Sequence, residues 1–188
     1  MTNRKYIDYY NFDSAKVRDL LKSANVGDRL DALLTTVLGS GDYQASDELI
    51  LQFTKSDDVN IRRNAILCIG HLVRIHKKID LEKYTPIPNT ILLEQAEFLV
   101  DNAEDALNDI WIFFGKDKVK RINKHGDDCV SRYFRVLELS DSHEKSKTYD
   151  NGIRTLEELI RSESNPSVLR VQNTSLEYLK NLRDTNNS

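Results

Sequence analysis

Apolar side chains recur every three or four positions through most of the chain, and the period-two alternation of half-buried strands is absent. The pattern predicts a first helix capped by Asp13 or Ser14, which forms an antiparallel pair with a second helix ending at Gly39. A third helix is predicted over about 43–54 and a fourth, strongly periodic one from Val59 onwards. The amino-terminal part is therefore predicted to be helical throughout.

The middle of the chain is punctuated by Pro86 and Pro88. Because proline lacks an amide hydrogen and restricts the residue before it, these positions predict an extended connection rather than a helix. A further helix is expected to follow as far as Gly115, either continuous or interrupted near Asp101 and Asn102.

Residues 116–188 are less regular. The pattern predicts a helix within 127–139, a polar loop over 140–152 and two closing helices over about 153–162 and 166–183. With only 7 glycines and 3 prolines, the composition disfavours the frequent turns of an all-β sandwich. We therefore predict an all-α fold of eight or nine helices.

A short pattern recurs along the chain. Val-x-x-Arg-x-x-Ala occurs around Arg29 and, 33 residues later, around Arg62, and a looser copy surrounds Arg170. The arginine is expected to reach turn carbonyls or acidic side chains of a neighbouring layer. Ala65 and Gly70 are expected to let paired helices approach closely.

The best copy, "DDVNIRRNAILCIGHL", resembles the HEAT repeat, with Asp58 in its polar turn. Residues 56–113, with "GHLVRIHKKIDLEKYTP" followed by "AEDALNDI", are similar to a family of small bacterial HEAT-like proteins with a "GHLARxH…DLE…P…AEDALDDI" arrangement. This resemblance implies a right-handed α/α solenoid forming one domain over 1–188, with its best repeat at 43–78. It also implies a non-catalytic protein similar to the immunity proteins of bacterial toxin systems.

Charge and hydropathy narrow the function classes. The net charge is −3, and residues 1–114 carry 13 Lys and Arg against 18 Asp and Glu. Neither half is basic enough to indicate nucleic-acid binding by itself. No run of 18 apolar residues and no amino-terminal apolar segment is present, so we expect a cytosolic protein that does not span a membrane.

The acidic residues between positions 94 and 109 follow helical spacing. Their intervals are three, four, four and four residues, and the set is Glu94, Glu97, Asp101, Asp105 and Asp109, with Glu104 beside it. On one continuous helix, like charges at this spacing repel by about 0.2–0.5 kcal/mol per pair. Two interpretations follow: the carboxylates pair with arginines of the preceding helix or are simply solvated, or they form a docking surface for a basic protein. Ile110, Phe113 and Phe114 form the neighbouring apolar face and are expected to lie in the core. Trp111 lies at the edge of that face, and we expect it to be buried either in the core or by a partner.

Candidate chemistry is sparse. Cys68 and His71 lack the i, i+4 spacing and third ligand of a helical zinc site, and His125 near Cys129 is interpreted as part of a polar loop. The sequence predicts no catalytic residue, metal or cofactor. The main basic cluster is Lys116, Lys118, Lys120, Arg121 and Lys124. We therefore expect a protein-binding module, monomeric when free, whose partner is a basic toxin domain; nucleic-acid binding through 116–124 or a general scaffold role is the alternative.

Overall fold

The structure is a computed structural model that describes residues 8–94, 96, 98–119 and 129–186, with only the backbone described at 115–119. Within this part, the regular structure is entirely helical, with nine helices of at least eight residues and one single turn. In chain order these are α1 (Ser14–Leu21), α2 (Val26–Gly39), α3 (Tyr43–Phe53), α4 (Val59–His76), α5 (Leu81–Tyr84), α6 (Pro86–Glu94), α7 (Val100–Val119), α8 (Cys129–Ser146), α9 (Tyr149–Ser162) and α10 (Pro166–Asn186). The predicted all-α class is confirmed for the described residues. The solenoid arrangement stays a prediction.

Contacts divide the described residues into two compact units. The first consists of 8–88 and 98–113, and the second of 89–94, 96, 114–119 and 129–186. In the first unit α1 packs against α2, α2 packs against both α3 and α4, and α3 packs against α4. In the second unit α8, α9 and α10 pack against one another. The single domain expected over 1–188 stays a prediction.

The first five helices begin in the same way. A side-chain oxygen of the residue before each helix accepts hydrogen bonds from one or two of its first backbone N–H groups, the five residues being Asp13, Asn25, Asp42, Asp58 and Asp80. These amides have no partner inside the helix, so each cap stabilises its helix by about 1 kcal/mol. The caps explain why the predicted starts of α1, α3 and α4 are confirmed.

The apolar stripes are buried inside each unit. In the first unit the fully buried side chains include Leu33, Ile50, Ile61, Ile69, Leu72, Leu107 and Ile110. In the second unit they include Leu92, Leu156 and Leu179. Each such side chain contributes about 1.5–3 kcal/mol through removal from water. Within the described part of the chain, none of the helices combines the length and the apolar character needed to cross a membrane.

Helices α2 and α4 are built on the same local pattern. In each, valine is the first helical residue and arginine the fourth, namely Arg29 and Arg62. The seventh residue, Ala32 or Ala65, is fully buried. The third copy differs, because Arg170 is the fifth residue of α10 and is exposed. Two helices of the first unit therefore share the pattern closely, and α10 shares only its capped start.

The prolines do not break the helical path. Pro86 and Pro88 are the first and third residues of α6, so the prediction of an extended connection is wrong. The first-turn amides of a helix have no intrahelical acceptor, and a proline there loses no hydrogen bond. Proline in this segment therefore marks a helix start.

The polar stretch over 140–152 is also helical, and its prediction as a loop is wrong. Helix α8 continues to Ser146 and α9 begins at Tyr149. Lys147 ends α8 in the left-handed conformation with φ of 55°. The backbone N–H of Thr148 donates to the carbonyl of His143 at 3.0 Å, which is the closing bond of a Schellman motif. A lysine at the position usually held by glycine left no turn signal in the sequence.

The cap of α4 predicts the effect of two neighbouring substitutions. Asp58→Ala should lower the free energy of unfolding by about 1 kcal/mol, because the amides of Asn60 and Ile61 lose the carboxylate oxygen that they contact at 2.9 and 3.1 Å. Asp57→Ala is the matched control and should change stability by less than about 0.5 kcal/mol. Urea denaturation of the three proteins measures this; equal losses for the two variants would contradict the cap.

Candidate binding surface

Helix α7 has one buried face and one exposed face within the first unit. Ala103, Ala106, Leu107 and Ile110 form the buried face, each with 0% exposure. On the opposite side lie Asp101, Asp105, Asn108 and Ile112, which fall within about 60° of one another around the helix axis. We call these four residues the α7 outer face. Both aspartates are exposed, Asn108 is half-buried, and Ile112 is 70% exposed.

The acidic residues do not form one stripe on a continuous helix. Helix α6 ends at Glu94 and α7 begins at Val100, with Phe98 between them in the left-handed conformation at φ 70°. Glu97 lies outside the described residues. The interruption lies between Glu94 and Val100, so the expected continuous helix is wrong. The alternative, a break near Asp101 and Asn102, lies one or two residues from the observed start of α7. A left-handed residue cannot continue an α-helix, which is the physical reason for the interruption.

Asp109 faces inward, toward α4. A Cβ atom added at Gly70 would stand 2.2 Å from Asp109 Oδ2, so the carboxylate occupies the space that a side chain would take. Arg74 Nε lies 3.6 Å from the same oxygen, and the Asp109 side chain is only 16% exposed. For Asp109, this is the internal pairing with an arginine of the preceding helix that the sequence left open.

His71 belongs to the same cluster. The Arg74 guanidinium donates a hydrogen bond to His71 Nδ1. Burial and the neighbouring Arg74 charge lower the pKa of His71, and the Asp109 carboxylate opposes them. A neutral imidazole accepts this bond, so His71 supports the arginine that holds Asp109.

A second contact joins α4 and α7 at their amino ends. Arg63 Nε donates to Asn102 Oδ1 at 2.9 Å. Arg63 precedes Arg74 in α4, and their respective partners Asn102 and Asp109 come in the same order in α7. Helices α4 and α7 therefore run in the same direction. The repeat arginine Arg62 plays no such part: its Nε, like that of Arg29, is buried with no hydrogen-bond partner among the described residues. Arg63 and Arg74 therefore each join α4 to α7 through a polar contact.

Aromatic residues near the end of α7 are only partly buried. Trp111 and Phe114 are half-buried, and Glu104 has a similar exposure. Phe113 is 37% exposed, so its prediction as a core residue is wrong. The Lys77 ammonium lies 3.5 Å from the Phe113 ring centroid and covers it as a cation–π partner. This leaves Ile112 as the most exposed apolar side chain of the described part of α7.

A buried polar network between α3 and α5 has no counterpart in the sequence predictions. Tyr84 is fully buried and donates to Asp47 Oδ1 at 2.9 Å, while Lys83 pairs with Asp47 Oδ2. Burial and the hydrogen bond to Asp47 raise the pKa of Tyr84 well above its ordinary value. The only sequence signal was an aspartate on the apolar side of α3, three residues before Ile50.

The remaining candidate chemistry is not assembled in the described residues. Cys68 is fully buried, and burial raises the pKa of its thiol to about 12, so it stays protonated. Cys129 is buried at the start of α8, whereas His125 lies outside the described residues. No three His, Cys, Asp or Glu side chains in the described ranges are arranged to hold a metal. The side chains of the basic cluster over 116–124 also lie outside the description.

The Gly70–Asp109 contact predicts that the effect of Gly70→Ala on stability changes sign when the Asp109 carboxylate is removed. Gly70→Ala should destabilise the protein by about 1–3 kcal/mol, because its methyl group would overlap the Asp109 carboxylate. In an Asp109→Ala background the overlap disappears, and the same substitution should stabilise by about 0.5–1 kcal/mol through helix propensity. Thermal unfolding of the four proteins in this cycle measures it; a loss that persists in the Asp109→Ala background would refute the contact.

The buried tyrosine predicts a stability change and its pH dependence. Tyr84→Phe should lower the free energy of unfolding by about 1–3 kcal/mol, since the Asp47 carboxylate loses a buried donor. The pKa of Tyr84 is raised in the folded protein, so its contribution is full below the unfolded value near 10 and falls as pH rises above it. Denaturant melts between pH 8 and 11 should therefore show a smaller alkaline loss for Tyr84→Phe. Tyr10→Phe, at a 75% exposed position, should behave like the parent protein.

The α7 outer face places two exposed carboxylates beside an exposed apolar side chain. It offers both charge and apolar contact area. Comparisons of the chain with protein-family profiles, with curated proteins and with solved structures found no match.

Proposed function

We propose that this chain is a non-catalytic protein-binding module and that it acts as an immunity protein, which binds and neutralises a basic bacterial toxin domain through the α7 outer face. The observation that carries the binding role is the exposure of Asp101 and Asp105 beside Ile112. The immunity role rests on the HEAT-like resemblance of residues 56–113. The α7 outer face replaces the longer acidic stripe as the proposed contact surface.

The proposed surface combines two kinds of interaction. Exposed carboxylates attract a basic partner, which speeds association and selects partners of complementary charge. Ile112 adds an apolar side chain that a partner pocket would remove from water. Asp109 is not part of this surface, since Arg74 and the groove at Gly70 hold it against α4.

The architecture supports a stacked arrangement of the first unit. Helices α2 and α4 carry the same capped pattern and pack against each other. Helix α7 runs parallel to α4 on the evidence of the Arg63–Asn102 and Arg74–Asp109 contacts. We interpret α2, α4 and α7 as successive second helices of a HEAT-like stack, in which equivalent helices lie side by side and expose the outer face of the last one.

Co-expression tests the immunity role. The chain should form a stable complex with a basic toxin encoded by an adjacent gene, and its presence should restore growth of cells that produce that toxin. Copurification and colony counts measure the two effects. A neighbouring toxin that forms no complex and kills cells equally with or without the chain would overturn the immunity proposal.

Charge reversal locates the surface once a complex is obtained. Asp105→Lys and Ile112→Ala should each weaken binding by about tenfold or more, because the first repels a basic partner and the second removes apolar contact area. Asp19→Lys is the charge-matched control on α1, where the side chain is 82% exposed, and should change the affinity by less than about threefold. Calorimetry gives the affinities; equal effects of the aspartate variants would remove the α7 outer face from the proposal while leaving the complex intact.

A further inference from the structure

The second unit contains an open pocket between α8, the α9–α10 turn and α10. Its volume is about 400 Å³, within the range of small-molecule and peptide-end sites. Arg132, Arg135 and Glu163 supply its charges, and Val136 and Leu159 supply an apolar wall. Two guanidinium groups against one carboxylate give the lining a formal charge of +1.

Both carboxylate oxygens of Glu163 already accept hydrogen bonds from neighbouring groups of the protein. Its Oε1 accepts hydrogen bonds from the backbone N–H groups of Ser164 and Asn165 at 2.9 and 2.8 Å. Arg132 Nε donates to Oε2 at 2.9 Å. Although burial raises it, the pKa of Glu163 ends below its ordinary value because these donors bind the ionised form. Glu163 therefore orients Arg132 and has little capacity left to accept a bond from a ligand.

Gln172 is the unexplained residue of this pocket. It is only 3% exposed, and its Oε1 is buried with no hydrogen-bond partner among the described residues. A buried amide oxygen without a donor destabilises a protein, because the hydrogen bonds that it made to water in the unfolded chain are not replaced. A ligand that carries an N–H group would satisfy this oxygen, and the positive lining favours one that also carries a negative charge.

We propose that this pocket binds a carboxylate with a neighbouring amide N–H, the group found at the carboxyl end of a peptide chain and in N-acylated amino acids. The carboxylate lies toward Arg135 and Arg132, and the amide N–H donates to Gln172 Oε1. The apolar wall of Val136 and Leu159 receives the side chain of the terminal residue. This site is in the second unit and is independent of the α7 outer face.

N-acetyl-leucine is a direct probe. Titration into the full chain, followed by calorimetry, should give a Kd of about 1 mM or tighter. N-acetyl-leucinamide has the same side chain without the charge and should bind at least about tenfold more weakly. Equal binding of the acid and the amide, or no binding of the acid up to about 20 mM, overturns the proposal.

Substitutions assign the two halves of the site. Gln172→Met should weaken N-acetyl-leucine binding by about tenfold while leaving the unfolding temperature of the free protein unchanged or higher, because a buried oxygen without a donor is removed. A purely structural glutamine would instead lower that temperature and leave the affinity unchanged. Gln172→Glu is a second variant of the same shape, and its added charge should also abolish binding of the acid.

The charge contribution has its own matched pair. Arg135→Gln should weaken binding by about tenfold, whereas Arg161→Gln removes an exposed charge of α9 outside the pocket lining and should have less than a twofold effect. A decapeptide ending in a free leucine carboxylate distinguishes the two sources of the ligand. Tighter binding of the peptide than of N-acetyl-leucine assigns the pocket to chain ends, and equal binding assigns it to small acylated amino acids. Equal losses in both arginine variants overturn the placement of the carboxylate.

Discussion

The missing side chain at Gly70 determines how α7 lies against α4. Asp109 fills the space beside the α4 backbone, and Arg74, supported by His71, holds its carboxylate there. With the Arg63–Asn102 bond two turns away, the rotation of α7 about its axis is fixed at two points. The direction of the exposed face follows from this constraint, because residues on the opposite side of the helix must then point to solvent.

Local chemistry made much of the helical structure readable from the sequence. Asp42 and Asp58 indicate helix starts because the short aspartate side chain accepts hydrogen bonds from the first backbone amides, which have no acceptor inside an α-helix. Errors arose where one residue type serves two purposes. Pro86 ends a helix or begins one according to its position, and Lys147 adopts a conformation for which glycine is the usual sequence signal.

The division of the acidic residues between interior and surface was not available from spacing. Asp105 and Asp109 are one turn apart, yet one is exposed and the other is held by Arg74. The two aspartates differ because Asp109 lies against α4 and Asp105 does not. The same holds for Asp47 and Gln172, whose buried surroundings come from segments distant in the chain. Candidate residues on one helix can be read from periodicity, whereas networks and pockets built by several helices require the tertiary structure.

Arg29 and Arg62 have a consequence for which side chains their positions can accept. Arg29 and Arg62 each bury an Nε that makes no hydrogen bond among the described residues. The aliphatic stem of an arginine can still cover apolar surface. A methionine or a leucine of similar length would satisfy much of the same space. At these two positions the shape of the side chain therefore matters more to the helix than the hydrogen bonds of its Nε do. The Val-x-x-Arg-x-x-Ala pattern thus describes a shape at its arginine as much as a charge.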